Sequence, residues 1–350
     1  MNSQIKRLVQ LLEETHGLSD EQFALLLTAE DDQLSACLSE RARAVREKYY
    51  GRSVYIRGLI EFTNYCKNDC FYCGIRKSQP SVSRYRLTEE QILQCCAVGY
   101  RLGFRTFVLQ GGEDPYWNDD RLCGLVAAVK TGHPDCAVTL SVGERSRESY
   151  QKLFDAGADR YLLRHETADP AHYRSLHPEE MDAANRLRCL NALKEIGYQT
   201  GCGFMVGSPG QTIGHIVKDL QFIRQFRPQM VGIGPFIPAA GTPFESQPKG
   251  SSELTIKLLS MIRLMLPSVL LPATTALGTA EKDGRERGIQ AGANVIMPNL
   301  SPADVRQKYQ LYNDKLSTGE EAAESVAKLR SSMEKIGYNV VTDRGDYLTE

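Results

Sequence analysis

Three cysteines in one eight-residue stretch, CKNDCFYC, form the chain's strongest chemical signal: Cys66, Cys70 and Cys73 are spaced C-x3-C-x2-C. Between the first two stand Lys67, Asn68 and Asp69, so the loop does not read as packed core, the common home of a free cysteine. A structural zinc site wants four protein ligands, and no fourth cysteine or nearby histidine completes a ribbon or finger pattern. Three thiolates on a short loop suit three irons of a 4Fe-4S cubane and leave the fourth iron open to an exchangeable ligand. The competing reading is a zinc staple in a noncatalytic interaction barrel. Cys37, Cys95, Cys96, Cys123, Cys136, Cys189 and Cys202 fall mostly on helix or strand patterns and read as packing. A disulfide framework does not suit so long a chain without a secretion signal.

The elements that must position this loop begin at residue 54. Eight β-rich runs, at 54–62, 105–111, 137–143, 160–166, 200–207, 230–238, 270–276 and 294–299, alternate with amphipathic segments. Helix starts are marked by Thr88-Glu-Glu-Gln and Ser146-Arg-Glu-Ser, and Gly157 marks a helix end. Eight strands alternating with helices predict an α/β fold, a (β/α)8 TIM-type barrel. An open doubly wound sheet is the runner-up, since sequence does not show closure. The chain divides into an N-terminal helical extension (1–50), the barrel (51–302) and a C-terminal helical tail packed on it (303–350). In such barrels chemistry sits at the C-terminal strand ends. Here six of those ends carry glycines and polar groups, a rim suited to a large polar ligand.

Bulk composition excludes other classes. Lys and Arg number 42 against 43 Asp and Glu, a net charge of −1 without a basic tail, so neither nucleic acid nor an anionic membrane is indicated as a partner. No apolar run approaches the roughly 18 residues of a membrane span, and MNSQIKRLVQLLEETHG reads as a charged amphipathic helix, not a signal peptide. A cytoplasmic protein is expected. His133, His172, His177 and His215 match no metal-binding pair on a helix face and read as surface or packing. Neither a G-x-S-x-G elbow nor a phosphate-binding G-x-x-x-x-G-K-[ST] loop occurs.

With Tyr72 in its aromatic position, C-x3-C-x-aromatic-C after a first barrel strand resembles the signature of the radical S-adenosylmethionine superfamily. The resemblance implies that the amino and carboxylate groups of S-adenosylmethionine chelate the open iron of a 4Fe-4S cluster. Electron transfer then cleaves the sulfonium to methionine and a 5′-deoxyadenosyl radical. Gly111-Gly112-Glu113 resembles the family motif that holds the methionine amino group. Across nearly the full length, LQGGEDPYW (109–117), DRYLLRHETADP (159–170), MVGSPGQT (205–212), MVGIGPFIPAAGTP (230–243), LPATTALGT (271–279) and GANVIMPN (292–299) resemble the HydE family of FeFe-hydrogenase maturases. Biotin synthase and methylornithine synthase share the architecture. Membership implies action on an iron carbonyl-cyanide cysteine complex supplied by a partner maturase, with a one-electron donor.

The cofactor contacts expected on this reading are Tyr72, Gln110, Gly111, Gly112, Glu113, Ser141, Glu144, Arg160, Arg164, Glu166 and Met297. Strand alternation puts Arg160, Leu162, Arg164 and Glu166 on one face, where arginines can grip carboxylates; a structural ion-pair network is the alternative. Met297 resembles the family's adenosine-side methionine, with core filler as the alternative. His165, Thr274, Thr275, Tyr309 and Tyr312 are the expected substrate contacts, the two tyrosines resembling a stretch that closes the lower cavity. A mutase, or a sulfur-insertion enzyme on an organic amino acid, remains open, with Cys136, Cys189 and Cys202 as conceivable ligands of a second cluster. Some family members carry an accessory cluster near the C-terminus, but no cysteine follows Cys202 here, and Glu320, Glu321 and Glu324 are poor substitutes.

Overall fold

Apolar residues three and four apart bring Ile5, Leu8, Val9 and Leu12 to one buried face of helix α1 (Ser3–Thr15). Helix α2 (Asp20–Thr28) starts at a capping box between Ser19 and Gln22. The long α3 (Asp32–Tyr50) packs on the helix Ser252–Met265. A computed structural model describes residues 2–316 and 322–348. Residues 317–321 of the predicted tail, Glu320 and Glu321 among them, lie outside the described residues.

The strands are β1 (Ser53–Ile56), β2 (Gly58–Thr63), β3 (Thr106–Gly111), β4 (Ala137–Ser141), β5 (Arg160–Leu162), β6 (Gln199–Cys202), β7 (Met205–Val206), β8 (Met230–Val231), β9 (Gly234–Pro235), β10 (Val295–Ile296) and β11 (Asn339–Val341). Parallel pairing runs β2-β3-β4-β5-β6-β8 in one sheet, β10-β1-β11 in a second and β7-β9 in a third. Single parallel bridges join Met230 to Leu270, Pro272 to Val295 and Leu59 to Asn299. Helices alternate with the strands, and both helix starts marked in the sequence are formed: Thr88 accepts from the Gln91 amide at 3.2 Å and Ser146 from that of Ser149 at 3.2 Å. Gly157 leaves its helix at φ 109°.

Several expected strands are shorter or divided. The run 54–62 breaks between β1 and β2 at Arg57, and 160–166 is regular only over Arg160–Leu162. The run 200–207 breaks at Gly203 (φ 156°), where an added Cβ would meet the Gly232 carbonyl oxygen at 2.0 Å. The run 270–276 forms only two bridges, because Pro272 lacks an amide donor and Thr274 caps the helix Thr275–Ala280. The C-terminal region holds strand β11, paired with β1, as well as the helix Ala322–Lys335. Among the described residues no helix is long and apolar enough to cross a membrane.

Candidate active site

At the C-terminal ends of the strands lies a cavity of about 300 Å³. Its wall includes Cys66, Cys70 and Cys73, carried on the loop that leaves β2. Several bonds fix this loop. Asn64 donates to the carbonyls of Ser83 and Lys308 at 2.9 and 2.8 Å and accepts from the Tyr85 amide at 2.7 Å. The guanidinium of Arg76, 2.7 Å from Asp69, holds that carboxyl well below the usual carboxylate range. Gly74 is needed because a Cβ would stand 2.1 Å from the Gln310 carbonyl oxygen, and its amide donates to Leu311 at 2.9 Å.

Burial raises all three thiols, Cys73 to about 12. Cluster binding at these thiols would therefore displace their protons. Among the described residues no three His, Cys, Asp or Glu side chains converge on a single ion. All three cysteines line one cavity, as ligands of a shared cluster would.

The adjoining wall comes from β3 and β4. Gly112 permits close approach: a Cβ would lie 2.2 Å from the Tyr65 carbonyl oxygen. Glu113 Oε1 accepts from the Glu144 amide at 3.0 Å, and Oε2 pairs with Lys67 at 3.2 Å. Gln110, Gly111 and Ser141 face the same cavity. Glu144 lines the neighbouring groove, its carboxylate held by Asn185 at 2.6 Å and by Arg186. Arg186, absent from the expected set, lines the cavity and donates to the Arg164 carbonyl at 2.6 Å. Its place is set by packing of the helix Ala183–Ile196, for which no local motif speaks.

After β5 the chain turns inward. Arg164 Nη2 stands 3.1 Å from Glu166 Oε2 without hydrogen-bond geometry, and Arg164 Nε has no partner. These buried, unsatisfied groups on the cavity wall are what a polar ligand with carboxylate and amino groups would complete. Glu166 sits at φ 65°, a strained backbone for a non-glycine residue and typical of functional sites. Tyr72, Thr274, Tyr309 and Tyr312 also line the cavity.

Besides Glu144, four expected contacts are placed elsewhere. Arg160 is fully buried but bonds Thr106, Gln199 and Asp346 at 3.0, 3.1 and 2.5 Å, at the opposite end of the strands from the cysteines. It is a structural network. His165 points away from the cavity, with Nε2 3.3 Å from Asp219 and Nδ1 accepting from the Gly203 amide at 3.2 Å. Met297 packs with Tyr50, Met230, Leu270 and Val295. Thr275 opens a helix and bonds Arg285 at 3.5 Å, leaving Thr274 as the cavity member of the pair. Cys136, Cys189 and Cys202 are buried, and none of them lines the cavity.

The Radical SAM superfamily model matches residues 60–223. The [FeFe] hydrogenase maturase subunit HydE of Thermotoga maritima is 45% identical over 91% of this chain and 91% of its own. The 3-methylornithine synthase of Methanosarcina acetivorans is 32% identical over 82% of this chain and 81% of its own. The crystal structure of methylornithine synthase (PylB) superposes with a TM-score of 0.84 at 29% identity, covering 95% of this chain and 97% of that one. The maturase HydG, at 22% identity and a TM-score of 0.80 over 96% of this chain and 75% of its own, shares the fold. The cysteine loop, the Gly-Gly-Glu strand end and similarity over nine-tenths of the length together make this chain a radical S-adenosylmethionine enzyme of the HydE hydrogenase-maturase family.

Proposed function

We propose that the chain reductively cleaves S-adenosylmethionine and acts on an iron carbonyl-cyanide cysteine complex on the way to the two-iron subcluster of FeFe-hydrogenase. The 45% identity to HydE across 91% of both chains carries this reading. Cys66, Cys70 and Cys73 would hold three irons of a 4Fe-4S cluster, with S-adenosylmethionine as ligand of the fourth. Together these cofactors supply one-electron cleavage of the sulfonium to methionine and a 5′-deoxyadenosyl radical. Glu113 and the Gly111-Gly112 backbone bind the methionine amino group. Arg164 and Arg186 offer their guanidinium groups to carboxylates. Leu162, Met205 and Phe236 give the cavity an apolar side that excludes water from reactive species, and Tyr309, Leu311 and Tyr312 close it from the C-terminal side.

The three bridges that continue β8 through 270–272 and β10 back to β2 support a closed eight-stranded barrel. The proposed division is an extension (1–50), a barrel (51–302) and a tail (303–350). Proposed partners are a one-electron donor and other maturases, in the cytoplasm.

The test is anaerobic reconstitution with iron and sulfide, then reduction with dithionite. Formation of methionine and 5′-deoxyadenosine, and restored hydrogenase activity in a maturation mixture lacking its HydE, are expected. Cleavage without restoration would move the substrate to an organic amino acid.

A further inference from the structure

The segment after the helix Pro170–Leu176 lies across the cysteine loop, which the sequence does not indicate. The Phe71 amide donates to the Leu176 carbonyl at 3.0 Å, and Cys70 Sγ lies 3.7 Å from Met181 Sδ. Between these contacts stands His177, 1% exposed. Its Nδ1 is 2.9 Å from the Tyr173 carbonyl oxygen, which only accepts, so the ring proton belongs on Nδ1. Nε2 is then an acceptor, and the Tyr72 hydroxyl donates to it at 3.1 Å. The imidazole is itself immobilised by stacking on the Tyr173 ring, with centroids 4.0 Å apart and planes at 21°. Tyr72, which precedes Cys73 in the chain, meets it edge-on at 5.4 Å and lines the cavity.

We infer that His177 is a positioning residue that fixes the Tyr72 ring against the S-adenosylmethionine site. It touches neither cofactor and acts through one hydrogen bond to a side chain of the cluster loop. This rests on the proposal that the cavity binds S-adenosylmethionine.

The experiment uses reconstituted holoenzyme and anaerobic calorimetry with S-adenosylmethionine. Four variants are compared with the parent: Tyr72→Phe, His177→Phe, the double variant, and His177→Gln, whose amide can still accept. Parent protein that does not bind S-adenosylmethionine would defeat the site assignment itself. With a binding parent, loss of one hydrogen bond should weaken affinity about three- to tenfold in Tyr72→Phe and equally in His177→Phe. The double variant should lose no more than either, iron content should hold, and His177→Gln should recover part of the loss. Parent-like affinity in Tyr72→Phe, or additive losses in the double variant, would overturn the inference. Should His177→Phe not fold, Tyr72→Phe and His177→Gln decide it alone: no loss in the first, or a loss in the second larger than in the first, is the overturning result.

Discussion

The carboxylate of Glu113 folds directly over the backbone of Gly143: a Cβ on Gly143 would lie 2.1 Å from Glu113 Cγ and 2.2 Å from Oε1. Gly143 also adopts φ 77°, where a side chain is strained by roughly 1–2 kcal/mol. Gly143→Ala should therefore displace Glu113 from the Glu144 amide and weaken S-adenosylmethionine binding about tenfold or more, since a hydrogen bond to a charged group is worth about 1.5–3 kcal/mol. Iron content should be retained, because the cysteine loop is untouched. Calorimetry with parallel iron analysis checks both halves.

Each cluster cysteine is expected to be the only protein ligand of its iron. Cys66→Ala, Cys70→Ala and Cys73→Ala should singly abolish the cubane and all cleavage of S-adenosylmethionine. Cys95→Ala, Cys96→Ala and Cys123→Ala should leave cluster content unchanged, since these thiols pack against the core. Iron and sulfide assays read the outcome; a cluster cysteine variant cleaving at the parent rate would remove the assignment.

Arg164 presents an unpartnered Nε and a poorly aligned Nη2 to the cavity. Arg164→Lys keeps the charge and loses the planar fork, so ligand affinity should fall about tenfold with the fold intact. Equal affinity in the two proteins would return Arg164 to a structural role.

What was legible in the sequence was local. The cysteine spacing and Gly111-Gly112-Glu113 are contiguous segments at strand ends, so chain order alone brings them to the rim. Alternation placed Arg160 and Arg164 on one face but says nothing of height. Four residues of strand rise roughly 13 Å, enough to put them at opposite ends. The same alternation points His165 outward, towards Asp219, and so against its expected role as a substrate contact. Arg186 reaches the cavity, and His177 and Lys315 reach the residues Tyr72 and Tyr309 that line it, through helix and tail packing, which no local pattern encodes.

Lys315 illustrates the last of these. Its ammonium pairs with Glu61 and donates to the Tyr309 carbonyl at 3.0 Å, while Asn299 donates to Glu61 at 2.8 Å; Lys315 is 6% exposed and Glu61 fully buried. Lys315→Met leaves an uncompensated buried carboxylate and should cost about 3–5 kcal/mol in chemical denaturation. Adding Glu61→Gln should recover most of that loss, because the remaining amide carries no charge. Failure of the second change to rescue would mean that Lys315 acts by packing the tail rather than by balancing charge.

A second iron-sulfur cluster needs further soft thiolate ligands, and no cysteine follows Cys202. The thiols left over are dispersed in the core: Cys136 sits 4.0 Å from the Phe104 carbonyl oxygen, Cys189 3.6 Å from that of Arg145, and Cys202 is on β6. Burial raises all three, Cys136 to about 11, as it raises the cluster cysteines; what sets these three apart is that none of them lines the cavity and they are carried on separate elements of the core. Reconstituted, gel-filtered protein should therefore hold about four irons per chain and give a single reduced cubane signal in electron paramagnetic resonance. The triple variant of Cys66, Cys70 and Cys73 to Ala should hold none. A reproducible two-iron signal surviving in that variant would mean that the core thiols rearrange to build a second site, and would move sulfur insertion on an organic substrate ahead of hydrogenase maturation.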